Sequence, residues 1–304
     1  MRIPEAIAVA VAGLVAAGCG HPTAAGAGGG AAQADTLPVA SVLQLPEIPD
    51  LLTGREARAE YAAERFFGPL AVADTSEAME QNLANFAALA AEASGAVRRR
   101  AFAGMWAKTP QPMAGRLAEI VEDYYYNPES PVYSSDMMLD ALIAADSAGL
   151  KAGEERRRLL IDELRRNAPG TRAADIAYTD RKGRVRRLLD PGPMQLLIFY
   201  DPDCDHCAEE MAALARSGEI SRAVADGRLR VTAIYPGADI RLWREHMKDL
   251  PEEWTTGMNA DNPVGTQDGY IIRTTPQICL IGSDGIVIRR DMSAGMVMEH
   301  MTKE

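Results

Sequence analysis

Gln195-Leu196-Leu197-Ile198-Phe199-Tyr200 is an almost unbroken apolar, β-prone run. Strand side chains alternate between two faces, so a run that is apolar at nearly every position needs cover on both. A chain meets that need by laying helices over a central sheet, and the flanking sequence supplies the pieces. Residues 174–178 and 184–188 predict two strands around the turn Asp180-Arg181-Lys182-Gly183. Beyond the run the pattern predicts a helix over about 207–225, a strand over 229–235 and a helix near 240–247. A hairpin of 277–281 and 286–290, turning at Ser283-Asp284-Gly285, and a helix over 294–302 close the chain. Residues 170–304 are therefore expected to form one mixed α/β domain.

Residues 41–168 read differently, as an all-α domain. Asp74-Thr75-Ser76 caps a segment in which Met79, Leu83, Phe86, Ala87 and Leu89 recur at helical spacing. Residues 97–106, 113–126, 134–148 and 154–167 repeat the pattern, punctuated by Thr109-Pro110-Gln111-Pro112, Asn127-Pro128 and Gly149. Arg98-Arg99-Arg100 and Arg156-Arg157-Arg158 read as solvated helix faces. The triplet Tyr124-Tyr125-Tyr126 reads as core packing with hydroxyls reaching the rim, rather than as a binding platform. No chemical motif is present in this half, and its layout resembles a helical domain of unknown function. In Bacteroidetes envelope lipoproteins that domain precedes thioredoxin-like domains. The similarity rests on Leu45-Pro46-Glu47-Ile48-Pro49 leading into Tyr61, Phe66-Phe67 and about five helices.

The N-terminus reads as an export signal. Arg2 gives a positive start and 6–17 an apolar run too short for a permanent membrane helix. It ends in Leu14-Val15-Ala16-Ala17-Gly18-Cys19, which resembles the lipobox of bacterial lipoproteins, with Ala16 where Leu is more usual. The resemblance implies a signal over 1–19 and lipidation of Cys19, hence anchoring to a membrane without spanning it. A plain signal peptide that discards Cys19 is the alternative. Residues 20–40, rich in Ala and Gly around His21, read as a flexible tether. Gly20 is not the Asp that retains some lipoproteins in the inner membrane, so the expected location is the cell envelope, with the outer membrane favoured. The net charge of −11 argues against nucleic acid as a partner.

The chemistry is carried by Cys204-Asp205-His206-Cys207, which follows the apolar strand and opens a helix. Four cysteines in 304 residues are too few for a disulfide-stapled scaffold, so the pair needs its own explanation. A helix N-terminus offers unpaired N–H groups and a positive dipole end, both of which stabilise a thiolate. Two intervening residues let the second sulfur resolve a mixed disulfide formed by the first. Cys204 is thus expected to attack and Cys207 to resolve.

With Thr274-Thr275-Pro276 ahead of the last hairpin, this arrangement resembles the thioredoxin family. The resemblance implies a cis bond at Pro276, with Thr275 and Pro276 positioning an extended substrate opposite the cysteines. The extra N-terminal hairpin and the insertion over 237–270 are similar to an envelope branch related to cytochrome c maturation reductants and peroxiredoxin-like folds. Ile198 stands where thioredoxin has a buried Asp, and Tyr200-Asp201-Pro202-Asp203 replaces its aromatic approach. His206 and Asp205 are expected to tune the thiol in opposite directions, with Asp201 and Asp203 on the side of Asp205.

The expected function is cell-envelope thiol–disulfide exchange on protein substrates, as reductase or isomerase. No cofactor is required, and a membrane thiol donor is implied for a reductase. The alternative is a non-catalytic envelope binding or assembly lipoprotein built on the same scaffold. A structural disulfide, or metal on Cys204, His206 and Cys207, are competing readings of the pair; the second lacks a further ligand cluster. Met292, Met296, Met298, His300 and Met301 read as a packed helix face rather than a copper site. Cys279, in an apolar strand, reads as a buried inert thiol.

Overall fold

The computed structural model describes residues 46–68, 76–259 and 269–303. The expected signal, Cys19, the tether and the cap residues Asp74 and Thr75 lie outside the described residues. The chain divides into two compact units, Met1–Arg158 and Leu159–Glu304.

The first unit is helical: α1 (Arg55–Phe66), α2 (Ser76–Ala90), α3 (Gly95–Lys108), α4 (Gln111–Tyr125) and α5 (Ser135–Ser147). The helix α6 (Glu154–Leu164) runs across the division. Pro112 sits in the first turn of α4, where its missing N–H costs nothing, and Ser134 caps α5 by accepting from Met137 N at 3.2 Å. The core is an aromatic relay. Ring centroids lie 4.8 Å apart for Phe67–Phe86, 4.9 Å for Phe86–Phe102 and 5.9 Å for Phe102–Tyr125. Each buried phenylalanine contributes about 1.5–3 kcal/mol relative to exposure. The tyrosine triplet is buried throughout, and Tyr125 donates inward to Leu83 O at 2.7 Å.

Each arginine run departs from the solvated reading in part, with Arg100, Arg156 and Arg158 exposed as expected. Arg98 Nε and Arg99 Nη1 each lie 2.7 Å from a carboxylate oxygen of Asp140, which is 2% exposed. Helical spacing turns Arg98 towards α5, and a buried carboxylate on that helix requires a cation. Arg157 is also buried and donates to the carbonyls of Ala152 and Leu150.

The second unit is built on a seven-stranded sheet in the order β2-β1-β5-β4-β3-β6-β7. Its strands are β1 (Ala177–Asp180), β2 (Val185–Arg187), β3 (Met194–Phe199), β4 (Leu229–Tyr235), β5 (Thr255–Met258), β6 (Gln277–Ile281) and β7 (Val287–Arg289). Strands β3, β4 and β5 are mutually parallel, while β6 runs antiparallel to β3. Helices α7 (Asp205–Arg216), α8 (Gly218–Ala225), α9 (Ile240–His246) and α10 (Ala294–Lys303) complete the unit.

The apolar run is buried on both faces. Leu196, Ile198 and Tyr200 enter one core with Cys207, Met211, Leu214 and Val297, whereas Leu197 and Phe199 enter another with Tyr178, Tyr270 and Cys279. Met292 and Met301 are buried in the first core, with Met296 and Met298 packed against it. Two expectations are revised. The single helix predicted over 207–225 breaks at Ser217, whose Oγ accepts from Ile220 N at 3.3 Å and starts α8. Strand β5 was not predicted: Thr-Thr-Gly-Met is short, and only pairing with β4 and β1 makes it a strand.

Candidate redox site

The site is assembled by the register of β3 and β6. Because they are antiparallel, with Phe199 opposite Gln277, the end of β3 and the start of β6 lie at one edge of the sheet. Whatever follows Tyr200 therefore meets whatever precedes Gln277. Those segments hold Cys204 and Thr275.

Cys204 is the N-cap of α7. Its backbone is extended, with φ −95° and ψ 112°, and its Sγ accepts from Cys207 N at 3.1 Å. The sulfur thus fills the position usually held by a Ser or Asp oxygen. Cys204 N donates to Asp201 O at 3.1 Å, and Asp201 Oδ1 accepts from Asp203 N at 3.0 Å, which fixes the approach to the helix. Cys204 is partly exposed and Cys207 is buried; both are free thiols. Burial pushes the Cys207 thiol up to about 12, and neighbouring Cys204 adds to the rise; hydrogen bonds from the Asp201 backbone and the Thr275 side chain pull it down.

Thr275 faces the pair. Its carbonyl oxygen lies 3.6 Å from Cys204 Sγ, and its side chain helps to hold the Cys207 thiol down. The Thr275–Pro276 bond is cis. Asp205 and His206 occupy the first turn of α7 and are exposed. Ile198 is fully buried in the core that holds Cys207. Cys279, paired with Leu197 in β6, belongs to the core on the other face of the sheet. The structure thus brings Cys204, Cys207, Thr275 and Pro276 together and sets Cys279 apart.

Sequence reading named Asp201 and Thr275 but not their pull on the Cys207 thiol, and it missed Asp239. Asp239 belongs to the segment after β4 and caps α9 by accepting from Arg241 N at 2.9 Å and Leu242 N at 3.0 Å. Its carboxylate, with those of Asp201 and Asp203, adds to burial in raising the Tyr235 phenol above its ordinary value. All three lie on segments that leave the same end of the sheet, since β3 and β4 are parallel with Phe199 opposite Ile234. A capping Asp was the sole sequence signal of Asp239.

A parallel β-α-β core with an antiparallel closing hairpin, a Cys pair at the first helix and a cis-proline facing it define a thioredoxin-like fold, here preceded by an all-α unit. Comparison with known proteins agrees. Residues 28–163 match the family described as Domain of unknown function (DUF5106). A thioredoxin-like protein from Bacteroides caccae superposes with a TM-score of 0.73 at 22% identity, over 87% of this chain and 99% of that one. A conserved protein of unknown function from Bacteroides fragilis is 31% identical over 44% of this chain and 98% of its own, with a TM-score of 0.42. The thioredoxin domain of a thiol-disulfide oxidoreductase from Bacteroides vulgatus is 20% identical over 45% of this chain and 96% of its own, with a TM-score of 0.40. No curated protein matches the chain.

Proposed function

We propose that this chain is a cell-envelope thiol–disulfide oxidoreductase acting on protein disulfides as a reductase or isomerase. The observation that carries the reading is the placement of Cys204 Sγ at the N-cap of α7, one turn from Cys207 and 3.6 Å from the Thr275 carbonyl. Cys204, as the thiolate, attacks one sulfur of a substrate disulfide. A Cys204–substrate disulfide forms, and the other substrate sulfur leaves as a thiolate and takes up a proton. Cys207 then loses its proton and attacks Cys204 Sγ, which releases the second substrate thiol and leaves a Cys204–Cys207 disulfide. Two electrons have passed to the substrate, and a thiol donor at the membrane returns the pair to the dithiol. With Ile198 in place of an acid, the Cys207 proton leaves to water or to the departing thiolate. No cofactor takes part. Cys19 anchors the protein through lipid and residues 20–40 hold it off the bilayer.

The test is trapping. Cys207→Ala should accumulate mixed disulfides with envelope proteins that dissolve on reduction, and Cys204→Ser should accumulate none. The reduction potential of the pair then sets direction: about −270 mV marks a thioredoxin-like reductant and about −120 mV an oxidant. Absence of adducts, together with a pair that does not cycle, would move the assignment to a binding module. Lipidation is tested separately, by whether labelled palmitate enters the wild type and not Cys19→Ala.

A further inference from the structure

The carboxylates at this edge of the sheet surround a nucleophile, and that decides which disulfides it meets. Asp203 and Asp205 flank Cys204 in sequence, and both are exposed. Asp201 and Asp239 are exposed too, and because β3 and β4 run parallel, with Phe199 opposite Ile234 and Tyr200 N donating to Ile234 O at 3.1 Å, the segments that carry them leave the sheet at the same end. Their positions are held by backbone: Asp201 by the Asp203 amide, and Asp239 by the first turn of α9. Glu209 extends the negative charge along the exposed side of α7.

The opposing charges are partly committed. The Arg181 guanidinium is tied to Thr256 Oγ1 and to the carbonyls of Leu250 and Pro251. Arg273, two residues before Thr275, is already engaged in an interaction. Arg241 follows the Asp239 cap, and His206 is exposed on α7. A free, partly exposed Cys204 Sγ beside the Thr275 carbonyl has a disulfide as its reaction partner.

From Cys204 and its four neighbouring aspartates we propose that this centre selects disulfides carried on basic segments, with Asp203 and Asp239 as specificity-determining residues. The proposal rests on the exchange reading above and names its substrate class. Negative charge near a nucleophile concentrates cationic partners and repels anionic ones, and salt screens the effect. The chemical step is unchanged: the dithiol becomes the Cys204–Cys207 disulfide, and the probe disulfide becomes two thiols.

The test uses the reduced chain from residue 20 onward and three small disulfides of differing charge: cystamine (cationic), hydroxyethyl disulfide (neutral) and dithiodipropionate (anionic). Each rate is divided by that of dithiothreitol with the same probe, which removes the probe's own reactivity. The cystamine-to-dithiodipropionate ratio in one variant also cancels any change in the thiol itself. At about 10 mM ionic strength this ratio should be roughly tenfold or more, falling towards about one near 1 M salt. Asp203→Asn with Asp239→Asn should lower it at least about threefold at low salt, and Asn retains the α9 cap. A ratio near one at low salt, or one unchanged in the double variant, overturns the proposal. No reaction with the neutral probe overturns the exchange reading instead, and the proposal with it.

Discussion

The carbonyl oxygen of Thr275 stands 3.6 Å from Sγ of Cys204, across a sequence separation of 71 residues. The side chain of the same residue lowers the Cys207 thiol against the rise that burial imposes. One residue therefore bears on the exposed sulfur through its backbone and on the buried one through its side chain, so the two influences can be separated by substitution.

Thr275→Val keeps the carbonyl and removes the hydroxyl. The hydroxyl favours the Cys207 thiolate, and a hydrogen bond to a charged group is worth about 1.5–3 kcal/mol. Resolution of the mixed disulfide should slow by about tenfold or more, with the first attack by Cys204 little changed. Stopped-flow kinetics with a chromogenic disulfide separates the two phases; equal slowing of both would contradict this division of labour.

Cys207, raised to about 12, should resist alkylation in the native dithiol. At pH 8 iodoacetamide should modify Cys204 and leave Cys207, whose rate should be at least about a hundredfold below its rate in the denatured chain. The linkage has a definite sign. An ordinary thiol titrates near about 8.5, so above that pH the unfolded chain sheds a proton that the native chain keeps. The contribution is complete below about pH 8.5 and is lost as pH rises towards the native value. The urea midpoint of the reduced protein should therefore fall more between pH 8 and 11 than that of Cys207→Ala.

Asp140 holds Arg98 and Arg99 between α3 and α5. Asp140→Ala leaves the largely buried Arg98 guanidinium without its carboxylate, and breaking a buried pair on one side costs about 3–5 kcal/mol. Thermal unfolding should show the loss. A change below about 1 kcal/mol would place this pair with the weak surface bridges.

Gly257 in β5 lies against the Tyr178 ring, and a Cβ there would run into that ring. Gly257→Ala should cost about 1–3 kcal/mol through overpacking. The substitution is far from the sulfurs in sequence, so denaturant midpoint rather than exchange rate is the informative readout.

The parts of the molecule most legible in the sequence were those written as local pattern. Five apolar positions in a row, Leu196 to Tyr200, gave β3 and its two-sided burial, and Cys204 to Cys207 gave a cysteine pair at the start of a helix. The helix periodicity around Met79, Leu83 and Phe86 likewise survived into α2. What could not be read was written in tertiary contact. Thr255 to Met258 became a strand because β4 and β1 accepted it. Arg98 looked solvated until Asp140, forty-two residues away, supplied a buried partner. Asp239 reached the site because β4 ends beside β3, a fact of sheet order rather than of spacing.

Under the proposed exchange Cys204 does two jobs with one atom, closing the first turn of α7 and presenting the nucleophile. Serine is among the preferred residues for the first job and ineffective at the second under these conditions. Cys204→Ser exchanges sulfur for oxygen at a position where oxygen is the ordinary occupant. The architecture of the helix start and the reactivity hung upon it are thus divisible, and an inactive serine variant retains the residue type the scaffold itself would choose.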